Sequence, residues 1–217
     1  MPASKKKAPA KKTVPLSARE RIVLTASRLF YQDGVRATGI DKIIAESEVA
    51  KMSFYRHFPS KNDLVAEYLQ RRHESWMKWF VAAVEQRLAQ PGAGLEVIAE
   101  VLREWFEEPN FRGCAFINTQ AETPAAEERL NGVIRDHKAA LQTYIAELAH
   151  RLALEAPLQT AAHAMVVIEG SIVRVQMTGD LTVCDSCSHL LRKLGRTARR
   201  SDTASADPDL PPYFPGF

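Results

Sequence analysis

Apolar residues recur along this chain at three- and four-residue spacing, the period of amphipathic helices rather than the alternation of strands. Ile22, Ala26, Leu29 and Phe30 share the first such face. Ser17-Ala-Arg-Glu20 ahead of it has the spacing of a capping box, in which the hydroxyl and the carboxylate satisfy open backbone amides. Gly34 is placed to end that helix in the left-handed conformation. Thr38 is the expected cap of a second helix, with Asp41 three residues on and Ile40, Ile43 and Ile44 turned inward. A short third helix is predicted over 51–57, its core side made by Phe54 and Phe58 at i and i+4, and Pro59 ends it. Ser60 with Asp63 caps a long fourth helix to about residue 89, carried by Leu64, Tyr68, Leu69, Trp76, Phe80, Ala83 and Val84. Pro91, Gly92 and Gly94 break it. Further helices are predicted at about 95–107, 113–121, 124–154, 157–178 and 183–198. Pro124 and Pro157 fall near two of these starts, where a missing amide proton costs nothing. No strand pattern and no internal repeat interrupts the series, so the expected fold is all-α, with about nine helices.

Composition narrows the class. At 217 residues and 46% hydrophobic, the chain can bury a substantial core. No apolar run reaches the roughly 18 residues that span a bilayer. The first fifteen residues are basic but lack the apolar segment of a secretory leader. The expectation is a soluble, cytoplasmic protein without a membrane partner. Three cysteines do not make a disulfide framework. Net charge is +3, but residues 1–72 hold 15 Lys/Arg against 7 Asp/Glu, which leaves the remainder acidic. A basic end on an acidic body suits contact with a polyanion. Lys5, Lys6, Lys7, Lys11 and Lys12 supply most of that excess, and they also suit a solubilising arm.

Residues 38–61 carry the most chemistry. Two short helices flank a tight turn, the second bearing Lys51, Ser53, Tyr55, Arg56 and His57, and Lys61 sits in the first turn of the next. A short helix, a turn and a polar-basic short helix is the layout that sets a recognition helix in the DNA major groove.

From about Arg19 to Leu69 the chain resembles the DNA-binding domain of the TetR (tetracycline-repressor-like) family. The resemblance rests on Ala26, Leu29-Phe30, Gly34, Thr38, Ile43, Val49, Phe54-Tyr55-Arg56-His57-Phe58 and Ser60-Lys61. Arg112-Gly113-Cys114-Ala115-Phe116-Ile117-Asn118 and Glu169-Gly170-Ser171-Ile172-Val173-Arg174 look like segments of one branch of that family. The resemblance implies a homodimeric, ligand-responsive repressor. Its expected parts are a disordered basic arm (1–15), a helix-turn-helix domain (16–70), an effector-binding and dimerisation domain (71–198) and a disordered tail (199–217). It implies a palindromic double-stranded operator, a small-molecule effector, and pairing of two copies through 157–178 and 183–198. By position, Lys51, Met52, Ser53, Tyr55 and Arg56 would face DNA, while Thr38, His57 and Lys61 would hold phosphates. Lys51 and Arg56 are the side chains suited to guanine edges. The chain departs from the family at the turn, with Glu48 in place of the usual Gly, Ala50 in place of Ser, and Met52 in place of a small residue. A left-handed Glu48 costs about 1 kcal/mol relative to glycine, and Ala50 forgoes a cap worth roughly 1 kcal/mol.

The second domain offers two modes of sensing. Trp76, Phe80, Trp105 and Phe116, with Met165 and the isolated acid Glu169, are candidates to line an effector cavity. Cys114, at a helix start, is a candidate thiol for electrophiles or oxidants. Cys184-Asp-Ser-Cys187 with His189 supplies too few ligands for zinc and lacks a strand–helix context for redox work, so packing is the expected role. No catalytic motif is present, and neither an enzyme, a cofactor nor a metal is expected. A non-specific architectural DNA-binding protein is the remaining alternative, disfavoured by the aromatic-rich second domain.

Overall fold

The computed structural model describes residues 15–197, which form nine helices and, among the described residues, no strand. They are α1 (Ala18–Asp33), α2 (Ile40–Ser47), α3 (Lys51–His57), α4 (Lys61–Leu88), α5 (Val97–Phe106), α6 (Ala115–Glu122), α7 (Glu128–Arg151), α8 (Pro157–Thr178) and α9 (Val183–Thr197). The chain separates into two compact units, divided between Tyr68 and Leu69 inside α4. The basic arm expected over 1–15, Pro15 apart, and the tail expected over 199–217 lie outside the described residues.

In the first unit α1 packs on α2 and α3. Ser17 Oγ accepts from the Glu20 amide at 3.2 Å, which fixes where α1 begins. Ile22, Val23, Ala26, Leu29 and Phe30 form its buried side, and Phe30 lies against Tyr68 with ring centroids 5.6 Å apart. Phe54 and Phe58, their rings 6.4 Å apart, are the buried side of α3. At the start of α4 the capping box is reciprocal. The Asp63 amide donates to Ser60 Oγ at 3.1 Å, and the Ser60 amide donates to Asp63 Oδ2 at 3.0 Å.

The expected cap at Thr38 is corrected. Helix α2 starts two residues later, behind Gly39, with no side-chain cap. Thr38 is fully buried, and its hydroxyl donates to the Gly34 carbonyl at 2.7 Å, closing the α1–α2 connection instead. Of the three isoleucines expected inside, Ile43 is buried while Ile40 and Ile44 are half-buried.

In the second unit α8 lies between α7 and α9, and α5 packs against α8 and α9. Pro157 is at the first position of α8, and Gly179, left-handed at φ 68°, ends that helix. Pro124 does not start a helix: it precedes a turn, and α7 begins at Glu128. Tyr144 and Arg151 on α7 both donate to the Glu85 carboxylate on α4, at 2.9 and 2.6 Å. The buried thiols Cys184 and Cys187 face inward from α9, and burial raises both above the ordinary thiol pKa. They are packing groups there, while His189 is exposed.

Glu48 joins α2 to α3 at φ 53°, ψ 45°, the left-handed region that disfavours a side chain. Glu48→Gly is therefore expected to raise stability by about 1 kcal/mol, and Glu48→Val to lower it by at least as much. Urea unfolding followed by circular dichroism measures both.

Candidate DNA interface and effector cavity

Burial decides which face of α3 is available. With Phe54 and Phe58 turned into the core, Lys51, Met52, Tyr55, Arg56 and His57 point outward. Met52 is 83% exposed and Tyr55 42%, the latter braced edge-on against Phe54 with centroids 5.3 Å apart. Ser53 is half-buried. Ala50 makes no side-chain cap, as its methyl requires. Lys51 Nζ is 3.4 Å from Asp41 Oδ1, an exposed contact that holds the ammonium only loosely. Other cations of this unit are engaged more closely: Arg19 with Glu67 at 2.8 Å, Lys42 with Asp33 at 2.9 Å, and Arg28 with Glu46. Arg56 has no ion-pair partner among the described residues. The arrangement therefore leaves an arginine, a loosely held lysine, a phenol and an imidazole on one solvent-facing side.

One expected phosphate contact changes. Thr38, at 0% exposure, cannot present its hydroxyl to DNA because the hydroxyl is committed to backbone carbonyls. At the start of α4, the Ser60 and Asp63 amides serve the capping box, and Lys61 is half-buried beside it.

In the second unit an aromatic cluster surrounds a cavity of about 10 Å³, room for about one water molecule. Arg72 and Trp76 of α4, Trp105 of α5, Cys114, Ala115 and Phe116 at the start of α6, His137, Lys138 and Leu141 of α7 and Ile172 of α8 line it. Three of the expected residues, Trp76, Trp105 and Phe116, thus meet at one place, and Cys114 joins them. Phe80, Met165 and Glu169 do not line it. Phe80 is one helical turn beyond Trp76 and stacks behind it at 4.7 Å. Met165 lies two turns before Ile172 on α8, about 10 Å along the axis. Glu169 instead pairs with Lys138 at 2.9 Å.

His137 is the residue that periodicity conceals. It follows Ile134 and precedes Leu141 on the buried face of α7, where sequence reading expects an aliphatic side chain. Its ring is 3% exposed, stacks on Phe116 at 3.6 Å and 7°, and meets Trp76 edge-on at 5.7 Å. Its Nδ1 lies 3.0 Å from His73 Nδ1, so one ring must donate while the other accepts. Burial, then the charge of Lys138 and then His73, pushes the His137 pKa down to about 3. The ring is neutral at physiological pH. Trp76 Nε1 is buried without a hydrogen-bond partner, a deficit of about 1–3 kcal/mol.

The loop before α6 explains the Arg112–Asn118 segment. Gly113 has φ +80°, and a Cβ there would collide with the Gln176 carboxamide. Asn118 donates to the Arg112 carbonyl at 2.8 Å and accepts from Gln176 at 3.0 Å. Gly113 thus leaves room for the Gln176 carboxamide beside the loop, and Cys114 follows it at the head of α6. Cys114 is 5% exposed, with Lys138 Nζ 3.8 Å from its sulfur.

Comparison with known proteins agrees with this geometry. The sequence profile of "Bacterial regulatory proteins, tetR family" matches residues 22–68. A TetR-family transcriptional regulator from Streptomyces coelicolor superposes with a TM-score of 0.73, at 26% identity over 83% of this chain and 95% of its own. Residues 22–68 are a TetR-family DNA-binding domain, and the chain is similar to TetR-family regulators over most of its length.

An HTH-type transcriptional regulator from the lacX 3′ region of Lactococcus lactis is 27% identical over 81% of this chain and 92% of its own length. The HTH-type transcriptional repressor NemR of Escherichia coli is 28% identical over 48% of this chain and 53% of its own. The chain is thus a helix-turn-helix transcriptional regulator. TetR-family regulators bind DNA, act as dimers, answer small-molecule effectors, and are generally not enzymes. Among the described residues no helix is long and apolar enough to cross a membrane.

The buried neutral imidazole has a pH consequence. Below about pH 6.5 the unfolded chain takes up a proton at residue 137, and the folded chain does not until about pH 3. This contribution to stability is full above pH 6.5 and is lost as pH falls, by up to about 1.4 kcal/mol per unit. Thermal melts at pH 7.5, 6 and 5 are expected to show a shallower decline for His137→Phe than for the parent protein.

Proposed function

We propose that this regulator is a repressor that reads its operator with the outward face of α3 and leaves it when an effector occupies the aromatic cavity. The observation that carries the reading is the division of α3 into a buried Phe54/Phe58 side and an exposed side of Lys51, Met52, Tyr55 and Arg56. Lys51 and Arg56 read guanine edges, and Tyr55, His57 and Lys61 set register on phosphates. Repression accords with the NemR relationship. The effector acts by binding more tightly to the conformation that does not fit DNA, since equal affinity for both shifts nothing.

Two half-sites need two copies, and α8 supplies a surface for them. Val166, Gly170, Val173 and Met177 recur at i, i+4, i+7 and i+11, with Val166 73% exposed and Met177 also outward. An exposed apolar stripe with a glycine at its middle suits close approach of a second helix. Leu190 adds an exposed apolar residue on α9. We place the homodimer contact there, over α8 and α9. Sensing by reversible occupancy is favoured over reaction at Cys114, because the thiol is buried within the cavity wall.

Duplexes selected from a random pool test the DNA reading by gel shift. Lys61→Ala is expected to weaken selected and unrelated DNA alike, lowering the salt slope by about one per subunit. Arg56→Ala should relax preference at one base position, by roughly 1–3 kcal/mol. Binding of every duplex as in the parent protein would refute the assignment. Separately, Val166→Arg, at a position the monomer core does not use, is expected to give folded monomers in sedimentation and to abolish operator binding.

A further inference from the structure

Exposure singles out one side chain of the helix-turn-helix. Met52 is 83% exposed, more than any other large apolar side chain among the described residues. A lone apolar residue at the surface is ordinary in itself, but this one stands among cations. Lys51 and Arg56 are exposed with it. Tyr55 and Arg56 follow it at i+3 and i+4, the spacing that shares one helix face. The other side of α3 is filled by Phe54 and Phe58, so the core of this unit is built without the thioether.

Resting on the DNA reading above, we infer that Met52 is a specificity residue that packs on the 5-methyl group of a thymine. A thioether has no hydrogen to donate and accepts only weakly, so neither phosphates nor polar base edges reward it. The thymine methyl is the apolar group that base pairs present in the major groove. The early residues of a recognition helix are the ones that reach base edges, and Met52 is the second residue of α3. Its unbranched, polarisable chain adapts to the shape it meets. Lys51 and Arg56 thus select guanine by hydrogen bonds, while Met52 selects thymine by apolar contact. Cytosine at the same position would leave the thioether facing a polar edge without a methyl group to cover.

The test removes the methyl and nothing else. Duplexes selected from a random pool by the full chain are resynthesised with each thymine replaced in turn by deoxyuridine, which keeps the pairing and hydrogen-bonding edges. Gel shift is expected to show binding weakened about fourfold at one thymine per half-site, the gain from burying one methylene-sized group. Met52→Ala should bind the thymine and deoxyuridine forms of that duplex equally well. Met52→Gln, which keeps the length but ends in an amide, should do the same. Circular dichroism identifies a variant that is unfolded, and the other variant then carries the comparison. If no selected thymine is sensitive to loss of its methyl, the assignment is overturned. It is equally overturned if the sensitivity persists in Met52→Ala or Met52→Gln, since DNA shape or another side chain would then be reading the methyl. In both cases sequence selection by the parent protein still stands, and with it the DNA reading. If the parent protein selects no sequence from the pool, the DNA reading itself falls and this inference falls with it.

Discussion

A seven-residue helix makes too few hydrogen bonds to offset its own nucleation in water, so α3 persists only because its aromatic side is buried. Phe54 at 0% exposure and Phe58 at 3% supply that anchorage. Removing a buried phenylalanine costs about 3–5 kcal/mol, far more than any surface pair in this unit contributes. The same burial sets the rotation of α3, and rotation is what turns Lys51, Tyr55 and Arg56 outward together. The strained Glu48 and the uncapped Ala50 are tolerated because this anchorage exceeds their combined cost of about 2 kcal/mol. Thr38 contributes from inside, tying the end of α1 to the start of α2 through the Gly34 carbonyl.

The second unit is governed by a different balance. Its aromatic cluster buries a histidine, an indole donor and a thiol around very little space. Such groups are costly to bury unless paired. His137 meets the cost by losing its proton, by stacking on Phe116 and by its contact with His73. Trp76 does not meet it at all. A core designed only for stability would place aliphatic residues here. Polar groups are instead concentrated in one tightly filled spot.

Much of the chain was legible in its sequence. Helix-length periodicity located the nine helices of the described residues, and the Ser60–Asp63 capping box located the start of α4 to within one residue. The spacing of Phe54 and Phe58 identified the inner side of α3, and the Gly-to-Glu exchange at the turn correctly marked a left-handed residue. Thr38 was misplaced because a threonine before an apolar run has the same sequence signature whether it caps the helix or faces inward. Pro124 was misplaced for a related reason: proline favours a turn and a first helical position alike.

Local pattern therefore determined which segments are helical, which face of each is apolar, and the helix-turn-helix layout, because those depend on residues three or four apart. Which apolar faces meet was decided only by the tertiary structure. The convergence of Arg72, Trp76, Trp105, Phe116, His137, Lys138 and Ile172 draws on five helices separated by up to a hundred residues, and no local spacing records it. The exclusion of Phe80, Met165 and Glu169 follows from the same cause. A position one or two turns along a helix shifts by about 5–10 Å, and that shift separates a cavity wall from the packing behind it.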